Sequence, residues 1–258
     1  MVTATRKKEF INGFDRLARK YDRHKVFADI ITASAISIQN SMRHWMPEQR
    51  YQSLENEYLS IVQRYTREET ELICRLFALT VQMMEENGMP EDVLGPLYME
   101  LELGNGNVGQ FFTPPEVAEM MAQISYGDAL ENMEKPFIKL EEPACGAGCM
   151  ILAFAKVMQS KGHSINERLW VQAIDVHRTT ALMCYVQMSL WHLPGRVIVG
   201  NSLSMEVREV FYTPAHFLGN WERKLSGAQQ TCASRQDFPS KSIATADSEL
   251  PALELIGK

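Results

Sequence analysis

Two glycines and one aspartate in this sequence have the type and spacing that a bound nucleoside requires. Gly146 and Gly148 form a Gly-x-Gly turn within 140–150, where an apolar, strand-like run meets a helical pattern. Glycine suits such a turn because a Cβ atom would keep a ligand away from the backbone, and because the turn can require positive φ. Asp175 ends the next strand-like run, where a carboxylate can accept hydrogen bonds from both ribose hydroxyls of a nucleoside.

A third polar residue follows the next strand-like run. Asn201 lies in the segment 200–203, where its carbonyl oxygen can reach the amino group of an adenine. Three strand ends in register therefore fit one adenosine-containing ligand. The alternatives are structural: a tight strand–helix turn that binds nothing, and an Asp175 side chain that caps the following helix.

These residues are positioned by alternating strand and helix patterns. The strand-like runs are 137–141, 169–174, 196–199 and, less regularly, 207–212, and the helix-like stretches between them are 115–125, 149–161 and 178–192. This alternation is typical of βαβ units and predicts an α/β domain with a parallel sheet and helices on both faces.

The rest of the chain divides by pattern and composition. Residues 1–103 show apolar side chains at helical spacing and predict an amino-terminal helical domain. Residues 104–225 contain the α/β pattern, whereas 226–258 are rich in Ser, Gln, Ala and Thr and predict a disordered tail.

Bulk composition restricts the class of protein. The 258 residues are 45% apolar without a run of about 20 apolar residues that a membrane helix needs, which predicts a cytosolic protein. The five cysteines are odd in number and form no Cys-x-x-Cys pair, so we expect neither a disulfide framework nor a metal site. The net charge of −6 argues against a dedicated DNA clamp, although the basic segment 1–25 could contact phosphates or simply form a solvated helix face.

Three motifs resemble one protein family in order and spacing. The run Glu-Pro-Ala-Cys-Gly-Ala-Gly-Cys-Met at 142–150 is similar to the Asp-Pro-Ala-Cys-Gly-Ser-Gly-Gly run of the N6-adenine DNA methyltransferases. Gly-Gln-Phe-Phe-Thr-Pro at 109–114 resembles that family's Gly-Gln-Phe-Tyr-Thr-Pro, and 92–98 resembles its lead-in. The nearest group is the modification subunits of type I restriction systems, and the resemblance covers roughly 90–217.

The resemblance implies S-adenosylmethionine as cofactor and a Rossmann-like class I methyltransferase fold with an amino-terminal helical domain. The positions that match the family's cofactor-binding motifs are Phe112, Thr113, Pro114, Glu142, Ala144, Gly146, Gly148, Asp175 and Asn201. Glu142 replaces the family's aspartate, and its carboxylate could still bind the ammonium group of the cofactor. Asn201 also stands where the family usually has aspartate, and an uncharged acceptor binds about half as strongly.

The family's catalytic tetrapeptide, Asp/Asn-Pro-Pro-Tyr/Phe, does not occur in this sequence. It accepts hydrogen bonds from the target amine and stacks on the flipped base. The best positional match is the segment 210–217, in which Thr213 would replace Asn/Asp, Pro214 the first proline, and Phe217 or His216 the stacking ring. Loss of an oriented acceptor costs on the order of 3 kcal/mol, or a hundredfold in rate, so we expect weak or no methyl transfer.

Three functional hypotheses follow from the resemblance. The first is a protein that binds S-adenosylmethionine with little or no methyl transfer. The second is an active DNA adenine methyltransferase completed by a partner subunit that recognises the target, because the family normally adds further strands and a recognition region after the matched segment. The third is a pseudoenzyme that binds another protein, as an anti-restriction or regulatory module. We also expect an oligomer or a subunit of a complex.

Overall fold

A computed structural model describes residues 2–103 and 112–233 of the chain. The first of these ranges is helical. Its helices are α1 (Val2–Ala18), α2 (Arg23–Ser41), α3 (Glu48–Val62), α4 (Arg67–Asn87) and α5 (Leu94–Glu100), with a 3-10 helix at Arg43–Trp45. None of the helices in the two ranges combines the length and apolarity of a membrane span.

Local sequence signals explain where the longest of these helices begins and ends. Thr66 and Glu69 form a capping box at the start of α4, in which each side chain accepts a hydrogen bond from the backbone amide of the other residue. Gly88 ends α4 in the left-handed conformation, with φ of 62°, that glycine adopts most readily.

The second range forms a four-stranded sheet with its connecting helices. The strands are β1 (Ile138–Glu142), β2 (Leu169–Asp175), β3 (Gly195–Asn201) and β4 (Glu206–Tyr212). The helices are α6 (Pro115–Glu131), α7 (Cys149–Ser160), α8 (Ile165–Arg168), α9 (Arg178–Leu190), α10 (Pro214–Leu218) and α11 (Trp221–Ala233). The strands lie in the order β1-β2-β3-β4, and each predicted strand-like run overlaps one of them. The α/β class is therefore confirmed.

The fourth strand departs from the predicted parallel sheet. β1, β2 and β3 are parallel, but β4 is antiparallel to β3, with Val197 opposite Phe211 and Asn201 opposite Glu206. Only four residues separate the two strands. So short a connection permits a hairpin, whereas a parallel crossover needs a dozen or more residues. The first three strands and their two helical crossovers are Rossmann-like, and β4 folds back along the edge.

The two faces of the sheet differ. Right-handed crossovers place α7 and α9 on the same face, and Met188 of α9 lies against Gly195 there. The opposite face carries polar side chains, and the Arg196 guanidinium donates to Gln172 Oε1 at 2.8 Å. On that face, α10 packs through His216 against Trp170. The sheet therefore has helices on both faces, with α7 and α9 on one and the short α10 on the other.

The helical part and the sheet share one core. Buried apolar side chains run without interruption from Phe10 in α1 to Phe211 in β4. An ion-pair bridge crosses the same boundary, because Arg178 of α9 contacts Glu57 of α3 at 2.9 Å and Glu209 of β4 at 2.6 Å. The predicted amino-terminal domain is thus packed directly on α9.

The carboxyl-terminal end also differs from the prediction for 226–258. Helix α11 continues through Ala233, so the first eight residues of the predicted tail are helical. Trp221, at the start of this helix, is buried and packs edge-to-face on Phe137, which anchors the helix beside β1. The remaining residues of that segment lie outside the described ranges.

Candidate functional site at the strand ends

The turn between β1 and α7 has the geometry that its two glycines predict. Gly146 has φ of 53° and Gly148 has φ of 98°, both in the region that favours glycine. A Cβ atom on Gly146 would lie 3.3 Å from the Phe112 ring, and one on Gly148 would lie 3.0 Å from Cys184 Sγ. The turn is fixed to the sheet by the Cys145 amide, which donates to the Ile174 carbonyl at 2.8 Å.

Asp175 lies at the end of β2, next to this turn. Its Oδ2 accepts from the Gly146 amide at 2.9 Å, and its Oδ1 accepts from the His177 amide and the Thr180 hydroxyl, both at 2.8 Å. The carboxylate therefore holds the start of α9 through the amide of His177, which precedes the helix, and through the side chain of Thr180. A carboxylate has about four acceptor positions, so three bonds leave roughly one for a ligand hydroxyl rather than the two we expected.

Asn201 ends β3 at the same edge of the sheet. Its Oδ1 accepts from the Leu203 amide at 2.9 Å and from the Ser204 amide at 3.3 Å, and so it holds the β3–β4 turn. Because both lone pairs of this oxygen are engaged, it is not available to an adenine amino group in this conformation. The side-chain amide nitrogen is the group left to face a ligand.

The segment before α6 contacts the glycine turn from the other side. Phe112 lies beside Gly146 and packs edge-to-face on Tyr98 at 5.5 Å. The Thr113 carbonyl accepts a hydrogen bond from Cys149 Sγ at 3.3 Å, and Pro114 immediately precedes α6. The structure thus brings these predicted residues to the turn, whereas 109–111 of the same motif lie outside the described residues.

The remaining predicted positions line the start of the turn. Glu142 ends β1, and its Oε1 accepts from the Ala144 amide at 3.2 Å.

The thiol of Cys145 is buried near the negative charges of Glu142 and Asp175, which disfavour its ionisation. The hydrogen-bonded thiol of Cys184, followed by burial and these two charges, raises the pKa of Cys145 well above its usual value. Cys145 is therefore a neutral thiol at physiological pH.

Cys149, at the start of α7, has a similar character. Burial, followed by the charges of Asp92, Glu116 and Glu91, raises its pKa to about 12. A protonated thiol donates hydrogen bonds, as Cys149 does to the Thr113 carbonyl. In the two described ranges, no group of His, Cys, Asp and Glu side chains is arranged to hold a metal ion.

Thr213, to which the motif match gave a catalytic role, lies apart from the glycine turn. Because β4 is antiparallel, its end lies beside the start of β3, at the opposite end of the sheet from Asp175. There the Thr213 hydroxyl donates to the Leu193 carbonyl at 2.8 Å and accepts from the Gly195 amide at 3.0 Å. The residue is fully buried, and these bonds tie the end of β4 to the start of β3.

The other residues of the proposed catalytic match are placed with Thr213. Pro214 is the first residue of α10, a favoured position for proline in a helix. Phe217 stacks on the exposed ring of Trp45, with centroids 5.8 Å apart. His216 is buried, and its Nδ1 accepts from Trp170 Nε1 at 3.1 Å. These rings pack on one another and do not face the glycine turn.

Comparison with known proteins agrees with the motif order. Residues 92–219, about half of the chain, match the family model described as N-6 DNA Methylase. This segment belongs to the N-6 DNA methylase family. The match includes the glycine turn and the ends of β1, β2 and β3, and it also includes β4 and α10. The family resemblance drawn from the sequence motifs is thereby confirmed.

A solved structure is also similar to the chain. It is a Listeria monocytogenes protein (lmo1582) assigned to the class I S-adenosylmethionine-dependent methyltransferases, with 14% sequence identity and a TM-score of 0.33. The similarity covers 74% of this chain and 52% of that protein, so the chain spans about half of its length. No curated protein sequence matches the chain.

Sequence reasoning missed one residue that shapes the site. Gln187 of α9 is fully buried, and its amide nitrogen donates to the Ala147 carbonyl within the glycine turn at 2.8 Å. Its only signal in the sequence is that a glutamine interrupts an otherwise apolar stretch of helix. A buried polar side chain needs hydrogen-bond partners, but the sequence does not show which ones it has.

Proposed function

We propose that this member of the N-6 DNA methylase family binds S-adenosylmethionine at the ends of β1, β2 and β3, and transfers methyl groups to DNA weakly or not at all. The observation that carries the proposal is the bond between the Gly146 amide and Asp175 Oδ2. It joins the glycine turn after β1 to the carboxylate after β2, which are the two elements that an adenosyl group would contact in this fold.

The residues at this edge fit such a cofactor. Gly146 and Gly148 leave the backbone of the turn without a side chain that could block it, and Glu142 keeps one carboxylate oxygen beyond its bond to the Ala144 amide. Asp175 retains about one acceptor position for a ribose hydroxyl. Asn201 presents its amide nitrogen, which can donate to a ring nitrogen of adenine.

These contacts assign roles to residues of this chain. Glu142 would bind the ammonium group of the methionine end, and Phe112 would pack beside it. Asp175 would orient the ribose and Asn201 the adenine. When bound, S-adenosylmethionine supplies an electrophilic methyl group. The chain must then supply acceptors that hold the target amine in line with that methyl group.

Those acceptors are the part that the described residues do not provide. The segment expected to supply them, 213–217, lies at the opposite end of the sheet, and Thr213 is buried in hydrogen bonds to β3 and the segment before it. The family relationship supports adenine in DNA as the acceptor class. The arrangement supports cofactor binding more strongly than catalysis.

Calorimetric titration of the full chain with S-adenosylmethionine, run beside transfer of radiolabelled methyl groups to mixed-sequence duplex DNA, tests both parts. We expect saturable binding in the titration and no labelled DNA above a heat-denatured control. The variant Asp175→Asn, shown by circular dichroism to be folded at the assay temperature, serves as the control because it removes the charge at the ribose position with little change in shape.

The outcomes separate the alternatives. No heat of binding to the wild-type chain would overturn the cofactor proposal. Labelled DNA that disappears in Asp175→Asn would overturn the proposal of weak transfer and favour an active methyltransferase. Labelled DNA that forms only when a second protein is added would favour an enzyme completed by a partner.

A further inference from the structure

Gln187 occupies the centre of a buried hydrogen-bond network between the helical part of the chain and the glycine turn. Its side-chain oxygen accepts from the Val93 amide at 2.8 Å and the Leu94 amide at 3.1 Å, at the start of α5. Its amide nitrogen donates to Asp92 Oδ1 and to the Ala147 carbonyl, both at 2.8 Å. All four hydrogen-bonding positions of the side chain are therefore used.

The network is largely shielded from water. Gln187 is 0% exposed and Asp92 is 4% exposed. Asp92 Oδ1 also accepts from the Gly95 amide at 2.8 Å, so the aspartate caps the first turn of α5 while it receives the glutamine. Separating such buried groups costs more free energy than a single hydrogen bond contributes, because each group would be left without a partner and away from water.

The bond from Gln187 to the Ala147 carbonyl bears on the conformation of the glycine turn. Ala147 is the residue between Gly146 and Gly148, so its carbonyl has a fixed direction only if both glycines keep their positive φ values. Because the Gln187 side chain is fixed by its other bonds, its hydrogen bond to this carbonyl favours one conformation of the turn. The same glutamine holds the Val93 and Leu94 amides, so one side chain joins the start of α5 to the turn.

We infer that Gln187 is a positioning residue that sets the conformation of the glycine turn and couples it to the start of α5. Gln187 does not touch the proposed ligand, and it acts through the backbone of 146–148. The part of this inference that concerns S-adenosylmethionine rests on the proposed function, whereas the part that concerns the turn does not.

The first experiment needs no ligand. Hydrogen exchange of the full chain is measured for wild type, Gln187→Met and Val186→Ala. Methionine keeps a similar length without the amide, and Val186 is the adjacent buried residue of α9, with an apolar side chain that bonds to nothing in the turn. We expect the 144–149 amides of Gln187→Met to exchange at least about tenfold faster, relative to β2 and β3, than those of wild type. In Val186→Ala, the turn and the strands should change together.

The second experiment uses S-adenosylhomocysteine as the probe. Its Kd should rise about tenfold or more in Gln187→Met, and by less than about threefold in Val186→Ala. In the wild-type chain the probe should also slow exchange of the Val93 and Leu94 amides more than that of α1 or α3. This last measurement requires no variant, so it remains informative if Gln187→Met fails to fold.

The two proposals fail in different ways. If the turn in Gln187→Met exchanges no faster, relative to the strands, than in Val186→Ala, the positioning role is overturned whatever the ligand does. If the wild-type chain binds no probe but the turn of Gln187→Met still loosens, the cofactor proposal fails and the positioning role stands. If the probe binds and the Val93 and Leu94 amides do not respond, the coupling to α5 is overturned.

Discussion

Asp175 Oδ2 lies 2.9 Å from the amide nitrogen of Gly146, and this hydrogen bond joins the end of β2 to the glycine turn at the edge of the sheet where the candidate site lies. The other oxygen of the carboxylate holds the first turn of α9 through His177 and Thr180. One side chain thus orders both the glycine turn and the helix that supports it. Changes at Asp175 should therefore affect stability as well as binding.

Asp175→Asn should weaken both folding and cofactor binding. If the amide oxygen keeps the bonds to His177 and Thr180, the amide nitrogen must face the Gly146 N–H, and two donors then oppose each other. We expect a loss of about 1–3 kcal/mol in the free energy of unfolding and roughly tenfold weaker binding of S-adenosylhomocysteine. Chemical denaturation and calorimetry measure the two effects. Thr180→Val, which removes only a donor on the helix side, should lower stability with little change in affinity, and equal losses of affinity would contradict the assignment.

Gly148→Ala should be more disruptive than an alanine at another positive-φ glycine. At Gly148 the added Cβ meets Cys184 Sγ at 3.0 Å, whereas at Gly162, with φ of 83°, nothing lies within 4 Å. Both variants carry the conformational strain of about 1–2 kcal/mol, so their difference isolates the contact with α9. Thermal unfolding of both variants measures it. Equal destabilisation would show that the packing of the turn on Cys184 is unimportant.

Thr213→Val should reduce stability without affecting ligand binding. The hydroxyl joins the Leu193 carbonyl to the Gly195 amide in a fully buried position, and valine of similar shape leaves both unpaired. We expect a loss of about 1–3 kcal/mol in the free energy of unfolding, largely restored in Thr213→Ser. Affinity for S-adenosylmethionine should be unchanged in both variants. A Thr213→Val protein that is fully stable but has lost a measurable methyl transfer would restore the catalytic interpretation.

The buried His216 should make stability depend on pH. Burial, followed by the charge of Arg196, lowers its pKa to about 4, and protonation would remove the acceptor that Nδ1 offers to Trp170. Between the unfolded pKa of about 6.5 and pH 4, the unfolded chain binds a proton that the folded chain does not. The free energy of unfolding should therefore decrease as the pH falls through this window, by up to roughly 3 kcal/mol.

His216→Gln provides the control for this pH dependence, because it can keep an acceptor for Trp170 but does not titrate. Urea denaturation of both proteins at several values between pH 7 and pH 4.5 gives the two slopes. Asp92, whose pKa is raised by burial, contributes a slope of the opposite sign in both proteins. The difference between them is thus the His216 contribution, and identical slopes would show that His216 is not the titrating group.

The sequence was sufficient for the parts of the site that depend on local order along the chain. A strand, a Gly-x-Gly turn and a helix are contiguous, so glycine spacing alone located the turn at 146–148. Apolar runs likewise located all four strands, and Asp175 and Asn201 fell at the ends of β2 and β3. Because parallel strands end at the same edge of a sheet, these residues were predictable neighbours.

The direction of β4 was not inferred, although the sequence contained a signal for it. The predicted strands 196–199 and 207–212 are separated by too few residues for a parallel crossover. We matched Thr213 to a motif by its distance along the chain, and that distance is the same whichever way the strand runs. The reversal moved Thr213 to the far end of the sheet.

Hydrogen-bond partners were decided by tertiary structure alone. Asn201 was expected to offer its oxygen to a ligand, but two backbone amides of the hairpin use it. Gln187 carried no motif, yet it joins residues 93 and 147, which are far apart in sequence. Residue type gives a side chain its capacity to donate and accept. Which groups it bonds depends on elements that come together only when the chain is folded. For this physical reason the sequence located the site but not its hydrogen bonds.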